Sequence, residues 1–295
     1  MKNYSNTDVS LKDAYSIALG AEPGRLHFAA HSHHLWPDCT REAQLQAWTD
    51  AATMADEKWA PVFKNVVGKT KGHLGKLLGV ESDQICLAPN THEFVFRLFS
   101  CFPQKKPLRV LTTDSEFHSF SRQLTRLEEE GAVVAERVAV EPFASFIDRW
   151  QVAAKKHDWD LVFTSQVFFN SGLGFVDLMQ IVEPVESAAA IVVDGYHAFC
   201  ALPIHLGDLG EKIFYMGGSY KYAQSGEGLC FLSVPKHCVL RPVYTGWFAA
   251  YSALENSTAP SVTAYDSGGM RFAGATMDFS AAYRFNAVQD WWQSI

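Results

Sequence analysis

Short apolar runs recur along this chain, each closing on a polar or glycine-rich cluster and most followed by a helix-period stretch. That alternation limits its fold more than any other feature. The strand candidates are Gln84 to Ala88, Arg109 to Thr113, Val133 to Val138, Leu161 to Thr164, Ala189 to Val193, Lys212 to Met216 and Leu229 to Val234. Helical patterns lie between them at Phe94 to Phe102, Phe120 to Glu130, Phe143 to His157 and Asp177 to Ser187. Unbroken apolar runs suit strands buried on both faces, and strands separated by helices pair in parallel. The expectation is an α/β fold with one doubly wound, mostly parallel sheet, which takes its ligands at the C-terminal ends of the strands.

Three of those strand ends carry chemistry. Gly217 to Gly228 sets Lys221 between Tyr220 and Tyr222 in a glycine- and serine-rich turn. A partly desolvated lysine loses its proton readily and becomes an amine that condenses with a carbonyl, whereas most lysines in turns are simply solvated. Ala189 to Val193 delivers Asp194 to a strand end, followed by Gly195-Tyr196-His197. A carboxylate there is placed to pair with a pyridinium nitrogen, the contact that makes pyridoxal phosphate (PLP) an electron sink. The third is Pro89-Asn90-Thr91-His92-Glu93, a polar turn between a strand and a helix. Such a turn aims backbone N–H groups at a phosphate, and it also reads as an ordinary helix cap; the two are compatible.

Composition narrows the functional classes. The chain has 295 residues, 48% of them hydrophobic, so it can bury a large core. No apolar run approaches the roughly 20 residues that span a bilayer, and Met1 to Gly20 carries no signal-peptide core, which points to a soluble cytoplasmic protein with no membrane partner. A net charge of −7 with scattered basic residues argues against a nucleic-acid partner. Cys39, Cys86, Cys101, Cys200, Cys230 and Cys238 lie far apart without a CxxC pair and read as buried free thiols. His27, His31, His33 and His34 invite a metal hypothesis, but no Cys or carboxylate nearby completes a shell, and no metal is expected.

A strand ending in Asp194 with His197 three residues on, then Ser219-Tyr220-Lys221 in a glycine-rich turn, resembles the class V aminotransferase group of fold type I PLP enzymes. Within that group the chain is most similar to kynureninase, and Gly246-Trp247-Phe248 adds to the likeness. The resemblance runs from Leu26 to Ile295, with departures at Ala30-His31-Ser32, where the family has Gly-Asn-Ser, and at Gly274, where kynureninase has an asparagine.

The resemblance implies a role for each matching residue. Lys221 joins PLP as an imine and later moves protons at the substrate α-carbon. Asp194 holds the pyridinium, and His197 orients Asp194 or the ring. Phe117 covers the ring with Ser119 and Phe120 beside it, while Asn90, Thr91 and Tyr220 serve the phosphate. Ser165 meets the cofactor, and Gln166 and Asn170 are candidates for its ring hydroxyl. Trp247 reaches the cofactor phosphate region of a neighbouring subunit, so a homodimer is implied. The corresponding division of the chain is an N-terminal segment over residues 1–37 lining the active-site mouth, a PLP-binding large domain over 38–250, and the start of a C-terminal part over 251–295. Enzymes of this kind continue into a small domain with an arginine for the substrate carboxylate, which implies a fragment or a reduced member. The favoured reaction is hydrolytic Cβ–Cγ cleavage of a kynurenine-type amino acid. The alternatives are transamination, a cysteine desulfurase or lyase, and a non-catalytic protein on the PLP fold.

Overall fold

The computed structural model describes residues 10–102, 107–256 and 262–295. The start of the N-terminal segment and part of the C-terminal stretch over 251–295 lie outside the described residues. Among the described residues one seven-stranded sheet comprises β1 (Ile85–Ala88), β2 (Leu108–Thr113), β3 (Val133–Val138), β4 (Leu161–Ser165), β5 (Ala190–Asp194), β6 (Phe214–Gly218) and β7 (Cys230–Ser233). Their order across the sheet is β1-β7-β6-β5-β4-β2-β3. Every pairing from β6 to β3 is parallel, as the alternation with helices requires.

The exception is β7, which runs antiparallel to both β6 and β1. Its cause is local: residues 219–229 contain no helix that could carry the chain back across a sheet face, so the strand can only return. The Lys221 segment is therefore a tight connection between adjacent antiparallel strands. Register aligns the strand ends, with Ser165 opposite Asp194 and Asp194 opposite Met216.

Helices cover both faces, and the core between them is aromatic, with Trp150, Phe94, Phe146, Phe163, Phe168 and Phe231 fully buried. The helix Thr91–Phe99 buries Phe94, Val95 and Leu98 on one face, while Asn90 Oδ1 caps it by accepting from Glu93 N at 3.1 Å. The C-terminal helix Ser280–Ser294 packs on Cys39–Met54, where Tyr283 OH donates to Asp50 Oδ2 at 2.8 Å. It also reaches the Lys221 connection, because Arg284 Nε donates to Ser225 O at 3.0 Å. Residues 280–294 thus pack directly on the body that carries the sheet.

Local chemistry sets the details of several helices. The stretch Val62 to Leu78 opens as a π-helix over Val62–Val67, becomes α-helical over Gly68–Leu78 and ends at Gly79, whose φ of 69° is the left-handed cap that glycine adopts without strain. Asp177 to Ser187 shrinks to Met179–Val182 and a 3-10 turn over Glu183–Val185, because Pro184 has no N–H to continue an α-helix. Asp38 does not cap its own helix with its side chain. Its carboxylate instead accepts from Ser16 N at 2.9 Å and Ile17 N at 3.2 Å, capping the short helix Ser16–Ala21 and tying the N-terminal segment down. Among the described residues no helix is long and apolar enough to cross a membrane.

Candidate active site

At the C-terminal ends of β5 and β6 lies a cavity of about 210 Å³, closed on the far side by the first turn of Thr91–Phe99. Lys221, Asp194, His197, Phe117, Asn90 and Thr91 line it, together with Ser119 and Tyr220. Four separate segments of the chain thus meet at one point, which is where an open α/β sheet places its ligands.

Lys221 is the centre of the arrangement. It is only 4% exposed, and its Nζ touches His197 Nε2 in a short hydrogen bond that runs from the amine to the ring when the imidazole carries its proton on Nδ1. Three aromatic rings surround the amine, with Nζ at 5.2 Å from the centroid of Tyr196, 5.6 Å from Phe117 and 5.7 Å from Tyr220. Burial pushes the amine down to about 8, against the pull of the Asp194 charge. His197 is pushed down to about 4, first by burial and then by the charges of Lys221 and His31, so its ring is neutral near pH 7.

Asp194 ends β5, and its Oδ1 accepts from Tyr196 N at 2.8 Å. Burial raises its carboxyl to about 6, with the Tyr196 bond and Lys221 opposing the rise, so it is ionised at neutral pH. Gly195 makes room for Tyr215 there: a Cβ at that position would sit 1.9 Å from Tyr215 Oη. Behind Asp194 is a second buried carboxyl. Glu116 accepts from Thr113 Oγ1 and Ser165 Oγ, each at 2.6 Å, and from Ser165 N at 3.2 Å. Burial raises Glu116 to about 8, and Asp194 pushes the same way, so Glu116 is largely protonated at pH 7.

The remaining expected site residues lie outside this cavity. Ser165 spends its hydroxyl on Glu116 and forms the floor behind Asp194. Phe120 is core, stacked on Phe163 with centroids 3.7 Å apart and planes 8° from parallel, because the helix His118–Glu129 turns it toward the sheet. Gln166 is buried between Tyr215 Oη, which donates to it at 2.8 Å, and Phe175 O. Asn170 donates to Ser115 Oγ at 3.2 Å. Trp247 is half exposed and packs on Phe248 with centroids 4.3 Å apart.

Sequence reasoning passed over Tyr196, His92, Glu227, Gly228 and Cys230, all of which line the cavity. Tyr196 had a readable signal, since it sits between Asp194 and His197. Cys230 had none, because only the antiparallel return of β7 brings it under Tyr196, whose hydroxyl accepts from its thiol at 3.5 Å. The N-terminal histidines share no common point. His33 stacks on Tyr220 with centroids 5.8 Å apart, His34 N donates to Tyr220 O at 3.1 Å, and His27 Nε2 meets His33 O at 2.9 Å. The segment is a strap over the Lys221 connection, held by backbone and ring contacts.

No protein-family model and no curated protein sequence matches the chain. Solved structures do. A C-DES mutant with glycine covalently linked to its PLP cofactor superposes with a TM-score of 0.82 at 17% identity, covering 97% of this chain and 74% of that one. A complex of the cystine C–S lyase C-DES with its product cysteine persulfide gives 0.75 at 18% identity, over 90% of this chain and 71% of that one. A cysteine desulfurase from Thermococcus onnurineus NA1 gives 0.77 at 15% identity, over 98% of this chain and 72% of that one. At these identities the likeness is one of fold, and the particular likeness to kynureninase rests on the sequence motifs. The chain is an α/β protein whose mixed, mostly parallel sheet has the fold seen in these PLP-dependent enzymes.

Proposed function

We propose that this protein is a PLP-dependent enzyme acting at the α-carbon of an amino acid, with Lys221 as the amine that holds the cofactor. The observation that supports it most is a single lysine amine, buried and pushed down to about 8, sharing a cavity with an ionised Asp194 and a neutral His197. The donor set matches each pole of PLP: an amine for the aldehyde, a carboxylate for the ring nitrogen, and a helix start for the phosphate. At that helix start the backbone N–H groups of the first turn lack intrahelical acceptors. Bound there, PLP would supply an electron sink for a carbanion at the α-carbon.

The chain's own groups then have distinct duties. Once displaced from the cofactor by the substrate's amine, Lys221 would be free to move the α-proton, and near pH 8 burial has made its amine a moderate base. His197 receives a hydrogen bond from Nζ and fixes where the amine points. Asp194 would hold a proton on the ring nitrogen, and Phe117 and Tyr220 would shield the bound group from water.

For the bond that breaks, the aromatic wall of Phe117, Tyr196 and Tyr220, with His33 stacked behind Tyr220, suits an amino acid carrying an aryl ketone. Hydrolytic Cβ–Cγ cleavage of a kynurenine-type substrate is therefore the first reading. Cleavage of a C–S bond in cysteine or cystine is the second, supported by the solved structures of similar fold. A protein thiol as sulfur acceptor has little support within the cavity: Cys230 is its one lining cysteine among the described residues, and burial pushes that thiol up to about 12, far from a thiolate.

One experiment separates these. The purified protein, loaded with PLP, is incubated in turn with L-kynurenine, L-cysteine and L-cystine, with and without a keto acid. Alanine plus anthranilate from kynurenine without keto acid supports the first reading, and sulfide or persulfide release supports the second. Turnover that needs a keto acid would replace both with transamination. Failure of PLP to attach to Lys221, judged by borohydride trapping and peptide mapping, would sink the PLP assignment itself.

A further inference from the structure

A second cavity, of about 320 Å³, adjoins the first, and His92 lines both. Its walls come from the next turns of Thr91–Phe99 and from the segments around Tyr244 and Gly274. Phe96 and Tyr244 form an aromatic corner with centroids 5.1 Å apart. Beside them is Arg97, whose side chain is only 11% exposed. Glu93 pins the guanidinium, accepting from Nη2 through Oε2 at 2.8 Å and from Nη1 through its backbone oxygen at 3.0 Å.

Among the described residues those two bonds leave three of the five guanidinium N–H groups uncommitted, and Nε is buried without a hydrogen-bond partner. A buried donor without an acceptor is costly, and arginine is the side chain best shaped to take a carboxylate through two parallel bonds. Gly274 lets the guanidinium take this position, because a Cβ there would lie 2.3 Å from Arg97 Nη2. The Gly274 backbone is tied in place, its oxygen accepting from Phe248 N at 3.0 Å and sitting against Gly246.

We propose that this second cavity binds a small organic carboxylate with a flat apolar body, the carboxylate on Arg97 and the body against Phe96 and Tyr244. The inference does not depend on PLP or on Lys221. If the PLP reading holds, the shared wall at His92 makes this cavity the place where a carboxylate-bearing substrate or product group would rest.

The test uses benzoate as probe and benzamide as its neutral isostere, titrated calorimetrically into the 295-residue protein. Benzoate should bind about tenfold or more tightly than benzamide, and Arg97→Gln should erase that preference while leaving benzamide binding in place. Arg97→Lys should retain part of it. Gly274→Ala, which displaces the guanidinium without removing it, should weaken benzoate selectively and serves if Arg97→Gln does not fold. Lys221→Ala should leave benzoate affinity unchanged. Equal binding of the two probes by the wild type, no binding of benzoate, or benzoate binding lost in Lys221→Ala and kept in Arg97→Gln would each overturn the proposal. PLP attachment to Lys221 is scored separately, so either reading can fail alone.

Discussion

The pH dependence of cofactor capture follows directly from how Lys221 is buried. Its amine is the nucleophile only when neutral, and burial lowers it from an ordinary 10.5 to about 8. At pH 7 about one amine in ten is then neutral, against about one in 3,000 for a solvated lysine, a gain of about 300-fold in reactive form. The corresponding differential interaction is roughly 3 kcal/mol. Mixing apoprotein with PLP across pH 6 to 10 and following the visible absorbance should show a rate that rises tenfold per pH unit and levels off above about 8. Asp194 is the charge that opposes burial, so Asp194→Asn should move the break to lower pH even as it weakens cofactor retention. A rate still climbing between pH 9 and 10, or an unchanged break in Asp194→Asn, would show that the amine is not desolvated as described.

Three further outcomes are expected. The Glu116 carboxyl rises from 4.5 to about 8 on folding, so the folded state holds its proton more tightly, and stability should fall as pH rises from about 4.5 to about 8. The drop is worth roughly 5 kcal/mol by the same arithmetic; urea denaturation at both ends of that window should show it, and Glu116→Gln should flatten the slope. Asp194→Asn keeps an oxygen for Tyr196 N, so circular dichroism should stay native while turnover of the PLP-loaded enzyme falls by orders of magnitude; activity within a fewfold would remove Asp194 from the ring nitrogen. Trp247, half exposed and outside the cavity of its own chain, is proposed to work across a homodimer. Sedimentation should then give a dimer, and a monomer that turns over substrate would discard that role.

Much of the fold was legible because its signals are local. Apolar runs that end in Asp194 or lead into Asn90, with helix-period stretches between them, specify parallel strands and mark where their ends gather. Lys221, Asp194, Asn90 and Thr91 stand out from such positions, while His197, Phe117, Ser119 and Tyr220 are added by the family resemblance, and all eight line one cavity. What the sequence could not carry depends on direction and packing. A short connection forces β7 to run backward, and that reversal alone puts Cys230 beneath Tyr196. Phe120 and Ser165 follow strand ends just as Phe117 and Asp194 do, yet a helical rotation turns Phe120 into the core and a buried Glu116 claims the Ser165 hydroxyl. The pairing of Arg97 with the bare backbone of Gly274 joins residues that no local pattern connects. Spacing along the chain determines which residues reach the end of the sheet; which of them face the cavity, and with what charge, is decided by burial among neighbours that only the folded chain assembles.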